Sequence, residues 1–572
     1  MDSRFKKRSR IILSLTLIIA FCLCVVLYQI QIVKGEDYSK KADSQYVRPS
    51  QDFFDRGIIY FTSKEGTKIQ AATQKNGYRV FINPREIEDP KMTYEALREY
   101  LDIKEDEFIS KASKENDSYE ELADKVSEEK ALFIKNFNIK GVGISKQVWR
   151  IYPAGSIASH MLGILGENAS SSDISGKYGL ERYYEDVLKR PGQSSSVNIF
   201  AELFADIKGT VFSNNKQGDI VTTIEPSVQK YLGKVLEGIF DTWKPESVGG
   251  IIIDPLTGEI IAMSSLPDFD PNDISKIKDI HILSNRLVEN AYEMGSILKP
   301  LTMATALDVG AFTPESKYED TGTMILNGKK ISNHDGVARG QTSMQSILAQ
   351  SLNIGAATLA LEVGKEEFSK YFFNFGLGSK TGIDLPNESS GIVGNLRSGR
   401  DVEIATAAFG QGIAISPISI TRALSFLANG GYKIRPHLVR EIQYTDGSTD
   451  KIDLVREGPY LKKQTVDDVT SMLVKVVDES LLKGAIKMDR YSIAAKTGTA
   501  QIPDLTKGGY YSDRYLHSFF GYFPAYEPKF LIFLYQVYPK GTEYASATLT
   551  EPFDQLVKYL INYYNIPPDR NI

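Results

Sequence analysis

Between Ile11 and Val33 the chain carries no charged residue, and in front of that run stand Arg4, Lys6, Lys7, Arg8 and Arg10. At a rise of ~1.5 Å per residue, a helix of this length crosses an apolar bilayer core of ~30 Å. The basic flank holds the N-terminus on the cytoplasmic side, so everything after Val33 is expected to fold outside the membrane. A cleaved leader would have a shorter apolar core and a small-x-small cleavage site, but "LYQIQIVKGEDY" follows here. The expectation is therefore an uncleaved anchor over 11–33 after a cytoplasmic tail over 1–10. Bulky Phe21 argues against lipid attachment at Cys22.

That run also contains both cysteines, Cys22 and Cys24, so the rest of the chain can use neither disulfides nor thiolate metal sites. His160, His281, His334, His437 and His517 are scattered without ligand spacing, and no metal or cofactor is expected. The chain has 572 residues, 42% hydrophobic and 24% charged, enough for two or three domains with their own cores. Its formal net charge is −5, and no basic face outside the first ten residues suggests a nucleic-acid partner.

Residues 34–215 are polar and mixed. "GIIYF" and "GYRVFI" read as strands, and the charged stretch from Pro90 to Phe137 reads as short amphipathic helices. A second region is expected over 216–572. "GGIIIDPLTGEIIAMSSLPDF" is a hairpin signal turning at Asp254–Gly258. Helical material is expected from about Asn290 to Leu361 and from Ala405 to Asn429. "YSIAAKTGTAQ", "HSFFGYFPA" and "KFLIFLYQVYP" read as strands, and "LTEPFDQLVKYLINYY" as a closing helix. Hairpin, helices, strands and helix in that order imply an antiparallel sheet flanked by helices, an α+β architecture.

Within the first helical stretch, "YEMGSILKPLT" places Ser296 and Lys299 three residues apart, on one face of a helix. An amine in apolar surroundings loses charge stabilisation and can take a proton from a serine nucleophile. The helix start also favours a developing oxyanion. Ser-x-x-Lys recurs by chance at Ser3/Lys6, Ser213/Lys216, Ser275/Lys278 and Ser480/Lys483, and taken alone it reads as an N-cap and a surface lysine before it reads as a catalytic pair. Two further motifs accompany it. "AQSLNIGAA" sets Ser351 and Asn353 between apolar helical runs, where they could relay a proton and bind a peptide backbone; taken singly it is a loop-and-cap sequence. "AAKTGTAQ" sets Lys496, Thr497, Gly498 and Thr499 at the end of an apolar strand. There an ammonium and a hydroxyl can clamp a carboxylate, and a glycine lets an extended peptide lie close. A second Lys-Thr-Gly at Lys380–Gly382 lies in a polar, turn-rich flank and reads as a structural turn.

Ser-x-x-Lys, a serine-containing middle motif and Lys-Thr-Gly, in that order, are the set shared by β-lactamases and penicillin-binding proteins. With "RG" at Arg56-Gly57, "WRIYPAGSIASHMLGILG", "GKYGLERYYEDVL", "VTTIEPSVQ", "FGQGIAISPISITRA" and "HSFFGYFPAYEP", the chain resembles the class B penicillin-binding proteins from residue 56 to 528. The resemblance implies an anchor, an elongated pedestal over 34–215 and a serine β-lactamase-like transpeptidase domain over 216–572. It implies Ser296 as acylated nucleophile, Lys299 as its base, Ser351 and Asn353 as proton relay and donor-peptide ligand, and Lys496–Thr499 as the carboxylate-binding strand. The Ser296 and Thr499 amides would form the oxyanion hole.

The implied partners are a D-Ala-D-Ala stem-peptide donor, an amine acceptor, β-lactams as inhibitors, a SEDS-family membrane glycosyltransferase and divisome proteins. The implied setting is septal wall synthesis. Lateral-wall synthesis, a D,D-carboxypeptidase, a β-lactam sensor, a secreted β-lactamase, a bifunctional class A protein and a catalytically weak scaffold are the alternatives. The chain departs from the family at Met294, where proline is usual, and at Ile297-Leu298, where Thr-Phe is common; "YFTSKEGTKIQAA" replaces the usual Asp-Arg-Asn-Gly. The changes beside the serine are expected to alter β-lactam affinity.

Overall fold

A computed structural model describes residues 55–114, 116–168, 171–190 and 216–570. The anchor expected over 11–33 lies outside these residues. Among those described, no helix is long and apolar enough to cross a membrane.

The described chain forms two compact units. One comprises residues 75–149. In it the end of the strand Lys68–Ile82 pairs antiparallel with Glu120–Val126 and is flanked by the strand Val142–Ile151. Short helices Pro90–Leu97, Glu105–Ala112 and Glu128–Asn136 close over a core of Val80, Ile82, Leu97, Phe108, Leu122 and Ile134. Ser127 caps the third helix, and Asp89 caps the first through the Lys91 and Met92 amides. The helices follow the predicted periodicity, but Glu120–Val126 is a strand. Its Leu122 and Val126 are buried while the residues between them stay wet, and pairing with Tyr78–Ile82 overrides the helix-forming composition.

The other unit comprises residues 56–74, 150–190 and 216–570. Its centre is a five-stranded antiparallel sheet: β1 (Ser247–Ile253), β2 (Ile260–Leu266), β3 (Ala494–Pro503), β4 (Tyr510–Phe523) and β5 (Phe530–Val537), in the order β3-β4-β5-β1-β2. The predicted hairpin is β1–β2. Helix α1 (Pro226–Trp243) and the final helix α6 (Ala545–Tyr564) pack on one face. Glu225 caps α1 through the Val228 amide, and the helix buries Val228, Leu232, Val235, Leu236 and Ile239, a stripe at helical spacing worth ~1.5–3 kcal/mol per side chain. Tyr231 and Tyr559 stack at 3.9 Å where α1 meets α6.

Helices α2 (Lys299–Val309), α3 (Asn353–Val363), α4 (Pro417–Ala428) and α5 (Lys463–Lys475) form a second cluster, with α4 against β5, α5 against β3, and α2 packed on the other three. The helix expected from Asn290 to Leu361 is interrupted. Gly310, at φ +83°, ends α2, and two ribbons follow: Lys317–Asp320 with Gly340–Ser343, and Thr323–Leu326 with Lys329–Ser332. The second turns at Asn327-Gly328, both at positive φ, the Asn-Gly pair that a tight hairpin favours.

Three separate stretches of this unit meet in one buried ion-pair network. Arg56 donates to Glu181 Oε2 at 2.6 Å and Glu185 Oε2 at 2.7 Å; Arg150 donates to Glu181 Oε1 at 2.7 Å. Arg56 is 1% exposed and Glu181 not at all. Removing one partner of such a group strands the others without water. Glu181→Ala should lower the unfolding free energy by about 3–5 kcal/mol in a denaturant titration. Glu185→Ala, at the network's wetter end, should cost about 1 kcal/mol.

Candidate active site

Gly295–Leu298 forms one 3-10 turn that runs directly into α2 at Lys299. In a 3-10 turn, side chains at i and i+3 eclipse, so Ser296 and Lys299 align on one face. Pro300 falls in the first turn of α2, where its missing N–H costs nothing. Ser296 is half-buried. Lys299 is 1% exposed and lies at the start of a helix that is apolar nearly all round.

The Lys299 amine donates to Ser351 O at 2.5 Å, Asn353 Oδ1 at 2.8 Å and Ser351 Oγ at 3.2 Å. Ser351 presents both oxygens to it from a left-handed conformation, φ +57°. On the other side of that hydroxyl, Lys496 Nζ approaches Ser351 Oγ at 3.1 Å and also donates to Thr497 O at 3.0 Å. Lys496 is 3% exposed. The structure thus brings the three motifs into one cluster, with Ser351 between two buried lysines.

Burial pushes the Lys299 amine well below its ordinary value, and the neighbouring Lys496 charge adds to the effect. Burial alone lowers Lys496 to about 8. Burial and like charge thus favour the neutral form of Lys299 over that of Lys496.

Gly498 faces the Gly295–Leu298 turn and is where strand and turn touch. A Cβ there would lie 2.3 Å from Ser518 Oγ and 2.7 Å from Met294 O. The glycine is therefore required by packing inside the protein, beyond the peptide approach inferred from sequence. Ser518, opposite Gly498 on β4, donates to Met294 O at 2.8 Å. Gly295 sits at φ +66° and donates its amide to Gly410 O at 3.1 Å, where a side chain on Gly410 would strike Gly295 O. Thr499 Oγ1 accepts the Ala545 amide at 3.1 Å, pinning the strand to the first residue of α6. Thr497 is half-buried on the same strand. Among the described residues β3 pairs only with β4, so its outer edge is open.

Sequence reasoning missed the frame around the middle motif. Asn353 Nδ2 donates to Ser332 O at 3.0 Å, and Asn333 Oδ1 accepts the Ile354 amide at 3.1 Å. Asn333 Nδ2 in turn donates to both oxygens of buried Asp320, at 2.9 and 3.0 Å. The Asn327-Gly328 turn is the signal that would have found this ribbon. The second Lys-Thr-Gly is indeed a structural turn: the Thr381 and Gly382 amides donate to Glu388, and Arg422 caps Lys380 O at 3.0 Å.

Residues 248–558 match the family profile described as the penicillin binding protein transpeptidase domain, and residues 56–219 match the penicillin-binding protein dimerisation domain. The chain is 31% identical to stage V sporulation protein D of Bacillus subtilis, over 96% of this chain and 84% of that one. It belongs to the class B penicillin-binding proteins. It is also 26% identical to the peptidoglycan D,D-transpeptidase FtsI of Escherichia coli K12, over 97% of this chain and 91% of that one. Its fold is similar to the crystal structure of penicillin binding protein 2X from Streptococcus thermophilus, with a TM-score of 0.72 and 20% identity over 90% of this chain and 80% of that one.

Since Gly498 has no room for a methyl group, Gly498→Ala must push β3 away from the nucleophile turn. About 1–3 kcal/mol of destabilisation is expected from thermal or denaturant unfolding. Acylation by a fluorescent penicillin should slow by more than about tenfold, since small misplacements of a reacting group cost that much.

Proposed function

We propose that this protein is a peptidoglycan D,D-transpeptidase acting through a Ser296 acyl-enzyme. The observation that carries the reading is the Lys299–Ser351–Lys496 cluster, in which two buried amines flank one hydroxyl and burial pushes both down, Lys299 further for the Lys496 charge beside it.

The stem-peptide donor pairs with the open edge of β3, and its terminal carboxylate is held by Lys496 and Thr497. Asn353 binds the donor backbone. Lys299 takes the proton of Ser296 Oγ as that oxygen bonds to the carbonyl carbon of the penultimate D-Ala. The Ser296 and Thr499 amides stabilise the oxyanion. The carbon–nitrogen bond then breaks as the proton held by Lys299 passes through Ser351 to the leaving D-Ala nitrogen, which returns Lys299 to its neutral form. An acceptor amine attacks the ester carbon and gives a proton to Lys299; the bond from that carbon to Ser296 Oγ breaks as the amide bond is made, and Lys299 returns the proton to Ser296. A β-lactam enters the same first step, but its leaving group stays attached.

The sequence supports an N-terminal anchor over 11–33, a cytoplasmic tail over 1–10, a pedestal over 34–215 and a catalytic region over 216–572 on the outer side of the membrane. A SEDS-family polymerase and divisome proteins are the expected partners, with septal wall synthesis as the setting. The name of the Bacillus subtilis relative supports sporulation as a second setting.

Mass spectrometry of penicillin-treated protein should find one adduct, on Ser296, and Ser296→Ala should take none. Turnover of a D-Ala-D-Ala donor should give amide product with an amine acceptor; hydrolysis alone would make the protein a carboxypeptidase. The pH dependence of second-order acylation should be bell-shaped. It rises as Lys299 loses its proton and becomes a base. It falls above about 8, where Lys496 loses the charge that holds the carboxylate. Lys496→Arg, which stays charged, should lack the falling limb while reacting more slowly.

A further inference from the structure

Glu293 stands three residues before Ser296 and has no part in the chemistry described above. Its carboxylate is partly buried and accepts the Tyr510 hydroxyl at 3.2 Å on Oε1 and 3.0 Å on Oε2. Burial pushes this carboxyl up to about 7, while the Tyr510 hydroxyl and the Gly412 amide favour its charged form. Tyr510 opens β4 and pairs with Pro503, the last residue of β3. The contact therefore ties the segment leading into the nucleophile turn to the far end of the ribbon that carries Lys496–Thr499. Gly412 lies two residues beyond Gly410, whose carbonyl accepts the Gly295 amide. Three segments that shape the Ser296 pocket thus converge on one carboxylate.

The rest of that ribbon end is held within itself, by Asp504 on the Thr506 and Lys507 amides and by Gln501 on Tyr511 O, so its position against the Gly295–Leu298 turn is left to the Tyr510 contact. The β3–β4 pairing shifts register between Gln501 and Pro503, and residues 505–509 are exposed. On the other side, the nucleophile turn hinges at Gly295, a residue with wide backbone freedom. Near the catalytic strand, Ser518 on Met294 O makes an inner stitch between the two pieces. We propose that Glu293 and Tyr510 are positioning residues that make the outer stitch, fixing how far the Thr499 amide stands from the Ser296 amide. The inference rests on the reading of Ser296 as the acylated nucleophile. Its logic is that of an oxyanion hole: the donors must be in place before the reaction, because they gain nothing by moving during it.

The test is stopped-flow acylation of the full-length protein in detergent by a fluorescent penicillin, separating the dissociation constant of the non-covalent complex from the acylation rate constant. Tyr510→Phe and Glu293→Ala should each lower the rate constant about five- to tenfold, the scale of one ordinary hydrogen bond. The non-covalent constant should change less than about twofold, and the final labelled fraction should equal the wild type's. Glu293→Gln can still accept the Tyr510 hydroxyl and should stay within about threefold of the wild-type rate. The double variant should be no slower than either single one. Wild-type rates in Tyr510→Phe and Glu293→Ala would overturn the proposal, as would losses that multiply in the double variant. A reduced labelled fraction in Glu293→Ala marks misfolding, and Tyr510→Phe, which removes one oxygen from a residue 41% exposed, then decides alone. A wild-type protein that takes no label on Ser296 would overturn the nucleophile reading and this inference with it.

Discussion

Lys299 and Lys496 lie out of water on either side of one serine hydroxyl. Two ammonium groups so placed would each bear a desolvation penalty of several kcal/mol and would repel one another. The cheapest escape is for one to release its proton. Which one does so is set by the surroundings. Lys299 is enclosed by α2 and feels the charge of Lys496, so its pKa falls further. Lys496 lies on the strand whose outer edge is open, where an incoming carboxylate can join it. The burial that would destabilise an unreactive protein here favours a neutral amine at Lys299 and leaves Lys496 on the strand with the open edge, which is what the proposed reaction needs.

Such an arrangement works only if the pieces stay close, and here backbone does much of the holding. The nucleophile turn meets β3 through Gly295, Gly498 and the Met294 carbonyl, and it meets the 410–412 segment through another glycine. Side chains would force these surfaces apart. The middle motif is held by a different device, an amide and carboxylate frame in which Asp320, Asn333 and Ser332 satisfy Asn353 and the Ile354 amide. Pre-formed polar partners of this kind let a half-buried asparagine keep one rotamer.

The sequence disclosed the motifs more readily than the frame around them. Lys299, Ser351 and Lys496 could be picked out because three motifs stand in the order of a known family, and the fold brings these side chains together; the hairpin at Asp254–Gly258 was legible from its turn residues. Glu120–Val126 was not, because its helix-forming residues become a strand only through a neighbour distant in sequence. The ribbons after Gly310 were passed over because apolar spacing on both sides outweighed a single Asn-Gly pair. Asp320 and Asn333 carried no signal at all: a buried carboxylate and amide thirteen residues apart announce themselves only when the chain folds them together.

The places where this chain departs from its family fit the same division between backbone and side chain. At position 294 the structure uses the carbonyl oxygen, which accepts Ser518, and the methionine side chain is buried in the core. Any residue supplies that carbonyl, so the change from proline leaves the contact intact while altering what packs beneath the serine. Ile297 and Leu298 are likewise fully buried, and Ile297 Cγ2 lies 3.0 Å from where a Gly498 side chain would begin. A branched side chain at that point fills space that the glycine leaves open. Substitution here changes the packing beneath Ser296 and leaves the Lys299 amine, the Ser351 hydroxyl and the Met294 carbonyl where they are.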